Sequence, residues 1–386
     1  MPNQRKLLIF NPLPAGGITD YLHFQANALE DQGVSVTMIV CPRFKRRTFT
    51  KYNLEVTLGS PPQGRPFFIR KIRHLIVIVR NVRKLARYTL SHDHYHIMLG
   101  AFAEYASPLW ASTLRKLSRK GRIIGCIIHD PVRDYAVGPK WLHKLSIKRH
   151  YEIIDFAFVH HSIELNMQGA RRRPSIIVIP FPYYPFEKSK LQLSNVRESL
   201  GIAKNEIALL SFGHIRDDKN IDLVIQALTH HPDMHLIQAG KEQSSGARPA
   251  KFYEDLAERL EVSARFHLMN RFIEQDELEG LFDAADFAVL TYSSNFYSGS
   301  AALGTCVNFS KPMLVSAAEG PLIDSVSKYD LGLAVLPDSK SAIVEGLTRL
   351  KSSPPTPDWD SFMRENDWET NASLVINSLF STTNES

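Results

Sequence analysis

Short apolar runs alternate with amphipathic stretches along both halves of the chain, a rhythm that predicts a parallel α/β protein. Two further observations divide it. At 386 residues the chain exceeds what one ordinary core accommodates. Its charge is also split: residues 1–190 carry 30 Lys and Arg against 12 Asp and Glu, the remainder 16 against 28. Two α/β domains meeting different partners are therefore expected, the basic one facing something anionic.

Taken in order, Lys6–Phe10 reads as a strand, followed by a Gly-containing loop (Pro14–Thr19) and a helix around Tyr21–Gln32. Val34–Cys41 is a second strand, with Gly33 stopping the helix before it. Further strands are predicted at Leu54–Leu58, His96–Gly100, Ile123–His129, Phe156–His160 and Ile176–Ile179. These give an N-terminal domain over 1–180. Residues 181–195 are proline-rich without a period and read as a linker. A second series then covers 196–355: strands Ile207–Phe212, His235–Ala239, Arg265–Leu268, Phe287–Leu290 and Pro312–Ser316, with helices Ile221–Thr229, Ala250–Leu260, Gln275–Ala284 and Ser300–Phe309 between them. Residues 356–386 form a tail in which Trp359, Phe362, Trp368 and Leu374 are spaced like the apolar face of a helix.

Composition excludes several classes. With 44% hydrophobic and 22% charged residues the chain is that of a soluble globular protein. Cys41, Cys126 and Cys306 are far apart and lack paired-ligand spacing, which argues for a reducing compartment without disulfides or zinc. The N-terminal apolar run is too short for a signal peptide, and no stretch approaches the ~18–20 apolar residues of a membrane span. A cytoplasmic protein is expected. His92, His94 and His96 alternate as strand ligands would, but no fourth ligand accompanies them, so no metal is expected. His160–His161 and His230–His231 read as helix-end or surface residues. Nucleic acid is not expected either, because no RRM, KH or helix-turn-helix pattern accompanies the basic charge.

The chemistry concentrates at Ser211–Leu223, SFGHIRDDKNIDL. A strand ending at Gly213 and followed by Arg216, Lys219 and a helix start is suited to an anion. Glycine lets backbone N–H groups approach the ligand, the helix N-terminus adds positive potential, and two cations can grip a diphosphate.

Several segments, in order, resemble the GT-B glycosyltransferases of the family-4 (glycosyltransferase group 1) type. GHIRDDKN resembles the G-x-I-R-x-x-K-G motif of one branch, with Asn220 in place of the last glycine. His235–Glu242 resembles the strand and Gly turn that follow it, and Phe266–Tyr292 the base-contacting loop with its "EL–LF–AAD" helix and next strand. Tyr292–Ser316 resembles the SG donor loop, and Gly16–Leu29 the N-terminal glycine loop. The resemblance implies two Rossmann-like domains facing across a cleft, with the last helix crossing back to the N-terminal acceptor-binding domain. It implies an enzyme moving a sugar from a nucleotide-diphosphate donor to a hydroxyl, retaining and without a metal or other cofactor. Donor contacts would come from Gly16, Gly17, Gly213, Arg216, Lys219, Arg271, Phe272, Ile273, Tyr292, Ser298, Gly299 and Ser300. The E-x7-E acids of the family fall at Tyr297 and Thr305, so the ribose must be held otherwise, or held weakly.

Catalytic candidates are Arg216 and Lys219 at the leaving phosphate, with His129 and Asp130 at a strand's C-terminal end, where ligands sit in open α/β sheets. The resemblance implies that His129 hydrogen-bonds the sugar or helps move a proton, with Asp130 competing as acceptor-side base; the alternative is a structural histidine at a strand end. Phe67–His92 has apolar residues at helical spacing, with Arg70, Lys71, Arg73, Arg80, Arg83, Lys84 and Arg87 on the remainder. That is either an internal helix with a solvated basic face or a contact for an anionic membrane surface. With the resemblance, it suggests a glycan or polyprenyl-linked acceptor, exopolysaccharide or lipopolysaccharide synthesis for the cell envelope, and a peripheral place at the inner membrane face. The alternative is a non-catalytic GT-B subunit that binds glycan or a partner transferase.

Overall fold

A computed structural model describes residues 5–46, 49–62, 66–129, 139–184, 195–243 and 248–381. The chain divides into two units, residues 1–181 with 367–386, and residues 182–366. In the first, the apolar runs become strands β1 (Lys6–Asn11), β2 (Ser35–Val40), β3 (Asn53–Val56), β4 (His96–Leu99), β5 (Ile123–Ile127), β6 (Phe156–Val159) and β7 (Ser175–Val178). They lie in the order β3-β2-β1-β4-β5-β6-β7, every pair parallel. Side chains alternate across the pleat. Leu8 and Phe10 enter one core cluster, while Leu7 and Ile9 enter the cluster on the other face. Burial on both faces explains why the inner strands are apolar runs, while the edge strands β3 and β7 are largely exposed or half-buried, and each fully buried Leu or Ile contributes about 1.5–3 kcal/mol.

The second unit repeats the scheme with β8 (Ile207–Phe212), β9 (Met234–Ala239), β10 (Phe266–Met269), β11 (Phe287–Thr291), β12 (Met313–Ser316) and β13 (Gly332–Ala334), in the order β10-β9-β8-β11-β12-β13. The three-residue β13 and the helices Pro321–Lys328 and Lys340–Ser352 lie beyond the last strand expected from sequence. In both sheets the winding direction reverses once, between β1 and β4 and between β8 and β11. Ligands of open α/β sheets bind beyond the strand C-termini at such a reversal.

The tail is not one helix. Trp359 and Phe362 lie on Trp359–Glu365 and pack into the second unit's core. Trp368 and Leu374 lie on Trp368–Phe380 and pack into the first unit's core. The apolar spacing ran on, but Asp367 intervenes as an N-cap, its carboxylate accepting from the Thr370 N–H at 2.7 Å. The last helix packs along Gly17–Asp31. There the fully buried Asn371 accepts from Gln25 Nε2 at 2.9 Å and donates to the Tyr21 hydroxyl at 2.7 Å and the Pro180 carbonyl at 2.9 Å.

Candidate active site

In the second unit, β8 and β9 end in glycines that touch. Gly240 has φ 147°, and a Cβ there would lie 2.1 Å from the Gly213 carbonyl oxygen, so no side chain fits. Gly213 has φ 95° and donates its N–H to Ala239 O at 2.9 Å. The chain then turns through Arg216–Asn220, where Asn220 adopts the left-handed conformation (φ 49°) in place of the family's glycine.

This turn brings Lys219 back over the end of its own strand. Its residue is only 7% exposed, and Nζ donates to Phe212 O at 2.6 Å. Burial, reinforced by the Arg216 charge, pushes the ammonium's pKa down to about 7. An ammonium held this far from water carries a desolvation cost of several kcal/mol that one carbonyl does not cancel. Arg216 is paired with Asp218 at 3.2 Å. Asp217 is turned away: it accepts from Arg248 N and Nε, both at 3.0 Å, and Arg248 also reaches Asp222 at 3.0 Å. Burial works to lower the Arg248 pKa, but these carboxylates outweigh it and raise it. The Asp217–Asp218 pair therefore braces the turn on both sides.

The loop after β11 closes against the same turn. Thr291 Oγ1 donates to Lys219 O at 2.9 Å, Ser293 N to Asp218 O at 2.7 Å, and Asp338 joins Asn220 Nδ2 to Ser294 N, each at 2.9 Å. Within that loop Tyr292 is buried, meets Ser300 Oγ through its hydroxyl at 2.9 Å, and stacks on Phe296 at 3.9 Å. Burial raises its pKa. Ser298 and Gly299 are half-buried in the same loop.

Arg271, Phe272 and Ile273 follow β10 on the same sheet edge but do not join this cluster. Arg271 is exposed and forked on Glu277 at 2.5 and 2.7 Å, Phe272 is 69% exposed, and Ile273 is core. Glu277 forms a capping box with Glu274 that starts the helix Gln275–Ala284.

In the first unit, Gly16 caps the helix Gly17–Asp31, and nothing lies within 4 Å of where a Cβ on either glycine would stand. Tyr21, one turn on, meets the His129 ring edge-on at 4.8 Å. The neighbouring parallel strands β5 and β6 each run into a histidine, and their register sets His129 Nδ1 3.1 Å from His160 Nε2. His160 is thus neither a surface nor a helix-end residue: Tyr21 and Phe181 also pack on it. Two consecutive strands each ending in His was the signal that could have singled it out.

The partners fix the tautomers. His160 Nδ1 faces the Ile179 carbonyl at 3.4 Å, to which it can only donate. Its Nε2 therefore accepts from His129 Nδ1–H. That leaves His129 Nε2 as an unprotonated nitrogen, buried and without a hydrogen-bond partner. Burial lowers the His129 pKa to about 4; burial, with the charge of His129 adding to it, lowers that of His160 to about 3. Both are neutral at pH 7. Asp130 lies outside the described residues.

His92, His94 and His96 do not converge. His92 stacks on Tyr88, His96 packs on Phe380, and no group of three or more metal-ligating side chains occurs among the described residues. His231 is also buried, its Nε2 3.1 Å from Val344 O.

The seven cations of the helix Phe67–Ser91 are all exposed. Its C-terminal half buries Val82, Leu85 and Thr89, whereas Phe68, Ile69, Ile72 and Ile76 in its N-terminal half are 45–73% exposed. No helix among the described residues is long and apolar enough to cross a membrane.

Residues 194–370, which contain the whole cationic turn and the loop that closes on it, match the family model of glycosyl transferases group 1. The chain carries a glycosyl transferases group 1 domain. The GT-B fold of its structural neighbours extends over the whole chain. Sucrose-phosphate synthase from Thermosynechococcus elongatus is 16% identical, with a TM-score of 0.71 over 98% of this chain and 99% of that one. Anabaena HepE, solved in complex with UDP and glucose, is 16% identical, with a TM-score of 0.65 over 97% and 95%. The lipopolysaccharide outer core galactosyltransferase WaaB is 12% identical, with a TM-score of 0.64 over 98% and 99%. No curated protein matched in sequence.

Proposed function

We propose that this protein is a glycosyltransferase that moves a sugar from a nucleotide-diphosphate donor to a hydroxyl of a glycan or lipid-linked acceptor, retaining stereochemistry and using no metal. The observation that carries the donor assignment is the buried Lys219 ammonium beside Arg216 at the end of β8. In the transfer, the bond from the sugar's anomeric carbon to the β-phosphate oxygen breaks as a bond to the acceptor oxygen forms, and the acceptor hydroxyl's proton passes to the departing diphosphate. Charge grows on the departing diphosphate, and preorganised cations stabilise that charge where water is excluded. An arriving diphosphate also adds counter-charge at Lys219, whose burial the nearby Asp218 carboxylate does not offset. The UDP held by HepE is the same class of ligand.

His129 Nε2 is placed to accept a hydrogen bond from a sugar or acceptor hydroxyl, since neutral imidazole presents a lone pair there. The exposed cations and apolar residues of Phe67–Ser91 suit an anionic membrane surface. They fit a peripheral enzyme at the inner face of the cell membrane in polysaccharide or lipopolysaccharide assembly; WaaB is a lipopolysaccharide outer core galactosyltransferase.

The test is nucleotide release from UDP-, GDP- and dTDP-sugars in the presence of extracted lipid-linked acceptors, for the wild type and an Arg216→Ala, Lys219→Ala double variant. Transfer by the wild type and its loss in the variant are expected. Binding of no nucleoside diphosphate would favour a non-catalytic subunit, and unimpaired transfer by the double variant would remove the cradle from the mechanism.

A further inference from the structure

The histidine pair rests on a ring that the far end of the chain holds in place. Tyr21, 1% exposed, lies edge-on to His129 at 4.8 Å and to His160 at 5.3 Å. Phe181 and Trp368 confine it at 5.7 and 5.1 Å. A buried phenol needs a partner for its hydroxyl, and that partner settles the tilt of the ring. Asn371 makes the shorter bond there, donating from Nδ2 at 2.7 Å against 3.4 Å from Gln25 Nε2.

The same amide reaches the pair by a second route. Its other Nδ2 hydrogen goes to the Pro180 carbonyl at 2.9 Å. Pro180 follows Ile179, whose carbonyl takes His160 Nδ1–H and so selects the tautomers of both imidazoles. Pro180 O can only accept, which fixes the orientation of the amide and leaves Oδ1 to accept from Gln25 Nε2 at 2.9 Å.

Adhesion alone does not account for an amide at this position. The other buried residues of the helix Trp368–Phe380, namely Ala372, Val375, Ile376, Leu379 and Phe380, are all apolar. Asparagine is a poorer helix former than leucine, and a buried amide avoids a desolvation cost of about 1–3 kcal/mol only when it is paired. What a fully paired buried amide adds is a single arrangement of its partners. Building on the role proposed above for His129, we infer that Asn371 is a positioning residue for the His129–His160 pair. It fixes both the Tyr21 ring beneath the imidazoles and the chain after β7 that selects their tautomers.

Nitrogen NMR of the full chain labelled at histidine reads the imidazoles directly at neutral pH, with the two residues assigned through His129→Gln and His160→Gln. In the wild type each should hold one tautomer, with its proton on Nδ1. Asn371→Leu keeps a branched side chain and removes both donations. It should mix the tautomers and lower kcat about tenfold with UDP affinity unchanged. Tyr21→Phe keeps the ring and frees it from the amide; it should mix them to a smaller extent, and it serves if leucine is not tolerated. Phe380→Ala loosens the same helix where it packs on His96, at the start of β4 and so at the opposite edge of the sheet. That variant should unfold at lower denaturant yet keep the tautomers and kcat of the wild type. Fixed tautomers in both Asn371→Leu and Tyr21→Phe, or equal mixing in Phe380→Ala, overturns the inference. Mixed tautomers with unimpaired transfer would uphold the positioning and remove His129 from the proposed reaction instead.

Discussion

The two units place opposite chemistry at the strand C-terminal edges of two similarly wound parallel sheets. At the end of β8, in the half of the chain with 28 acids against 16 cations, sits a buried ammonium beside a guanidinium. At the ends of β5 and β6, in the half with 30 cations against 12 acids, sits a pair of neutral histidines. Net charge thus fails to report the charge of a site. Acids around the cationic turn are already engaged: Asp217 and Asp222 by Arg248, Asp218 by Arg216, and Asp338 by Asn220 and Ser294. In the basic half, seven of the 30 cations lie exposed on one helix, Phe67–Ser91, while the histidines share a neutral hydrogen bond. A domain's surplus charge governs its encounters, and its buried minority governs its chemistry.

The largest way to break the comparison is through the backbone. Gly240→Ala would force a methyl group into the Gly213 carbonyl and should destabilise the second unit by about 3 kcal/mol or more. UDP affinity should fall with it. Denaturant unfolding of the variant with a midpoint like the wild type's would show that the two turns need not touch.

Lys219→Met should separate stability from binding. The folded-state pKa, about 7, lies below the usual lysine value of 10.5, so from pH 7 to 10.5 the unfolded chain binds more protons. Stability should therefore rise with pH across that window. The Met variant should lose that slope and be more stable than wild type at pH 7, yet bind UDP at least a hundredfold more weakly. In the wild type, UDP should draw up to one proton onto Lys219 at pH 8, seen as a binding enthalpy that changes with the buffer's ionisation heat. A buffer-independent enthalpy would mean that the ammonium is already charged before the ligand arrives.

His160→Phe tests the neutral edge. Losing the acceptor for His129 Nδ1–H frees the tautomer, and kcat should drop roughly tenfold to a hundredfold with UDP affinity unchanged. His160→Gln, which keeps an acceptor oxygen, should recover part of it; equal loss in both variants would point to packing alone. Because both folded-state pKa values lie below the usual 6.5, the pair's contribution is full above pH 6.5. It is lost as pH falls toward 4, and the Phe variant should lose less stability on acidification.

Much of this was legible in the sequence, and what was not has physical causes. The inner strands of both sheets were readable because burial on both faces makes them continuous apolar runs, and Gly213, Arg216 and Lys219 because a glycine and two cations follow such a run directly. β13 was not, since three residues with one glycine carry no period. The break at Asp367 was hidden because apolar residues continue at helical spacing on both sides of it. Pairing is a tertiary property, so neither the Arg248 clamp on Asp217 nor the meeting of His129 with His160 shows in local pattern, although the two strand-end histidines hinted at the latter.

The smallest expected effect concerns the basic surface. Arg80 and Arg83 are exposed on the helix Phe67–Ser91, where each is worth about 1 kcal/mol at an anionic bilayer in low salt. Replacing both with Gln should weaken association with phosphatidylserine-containing vesicles by roughly thirtyfold, an effect that shrinks as salt shortens the screening length. Binding to neutral phosphatidylcholine vesicles, carried by Phe68, Ile69, Ile72 and Ile76, should not change. If the double variant lost both equally, the charges would be supporting the helix and not the encounter, and the basic half's surplus would have no partner at this face.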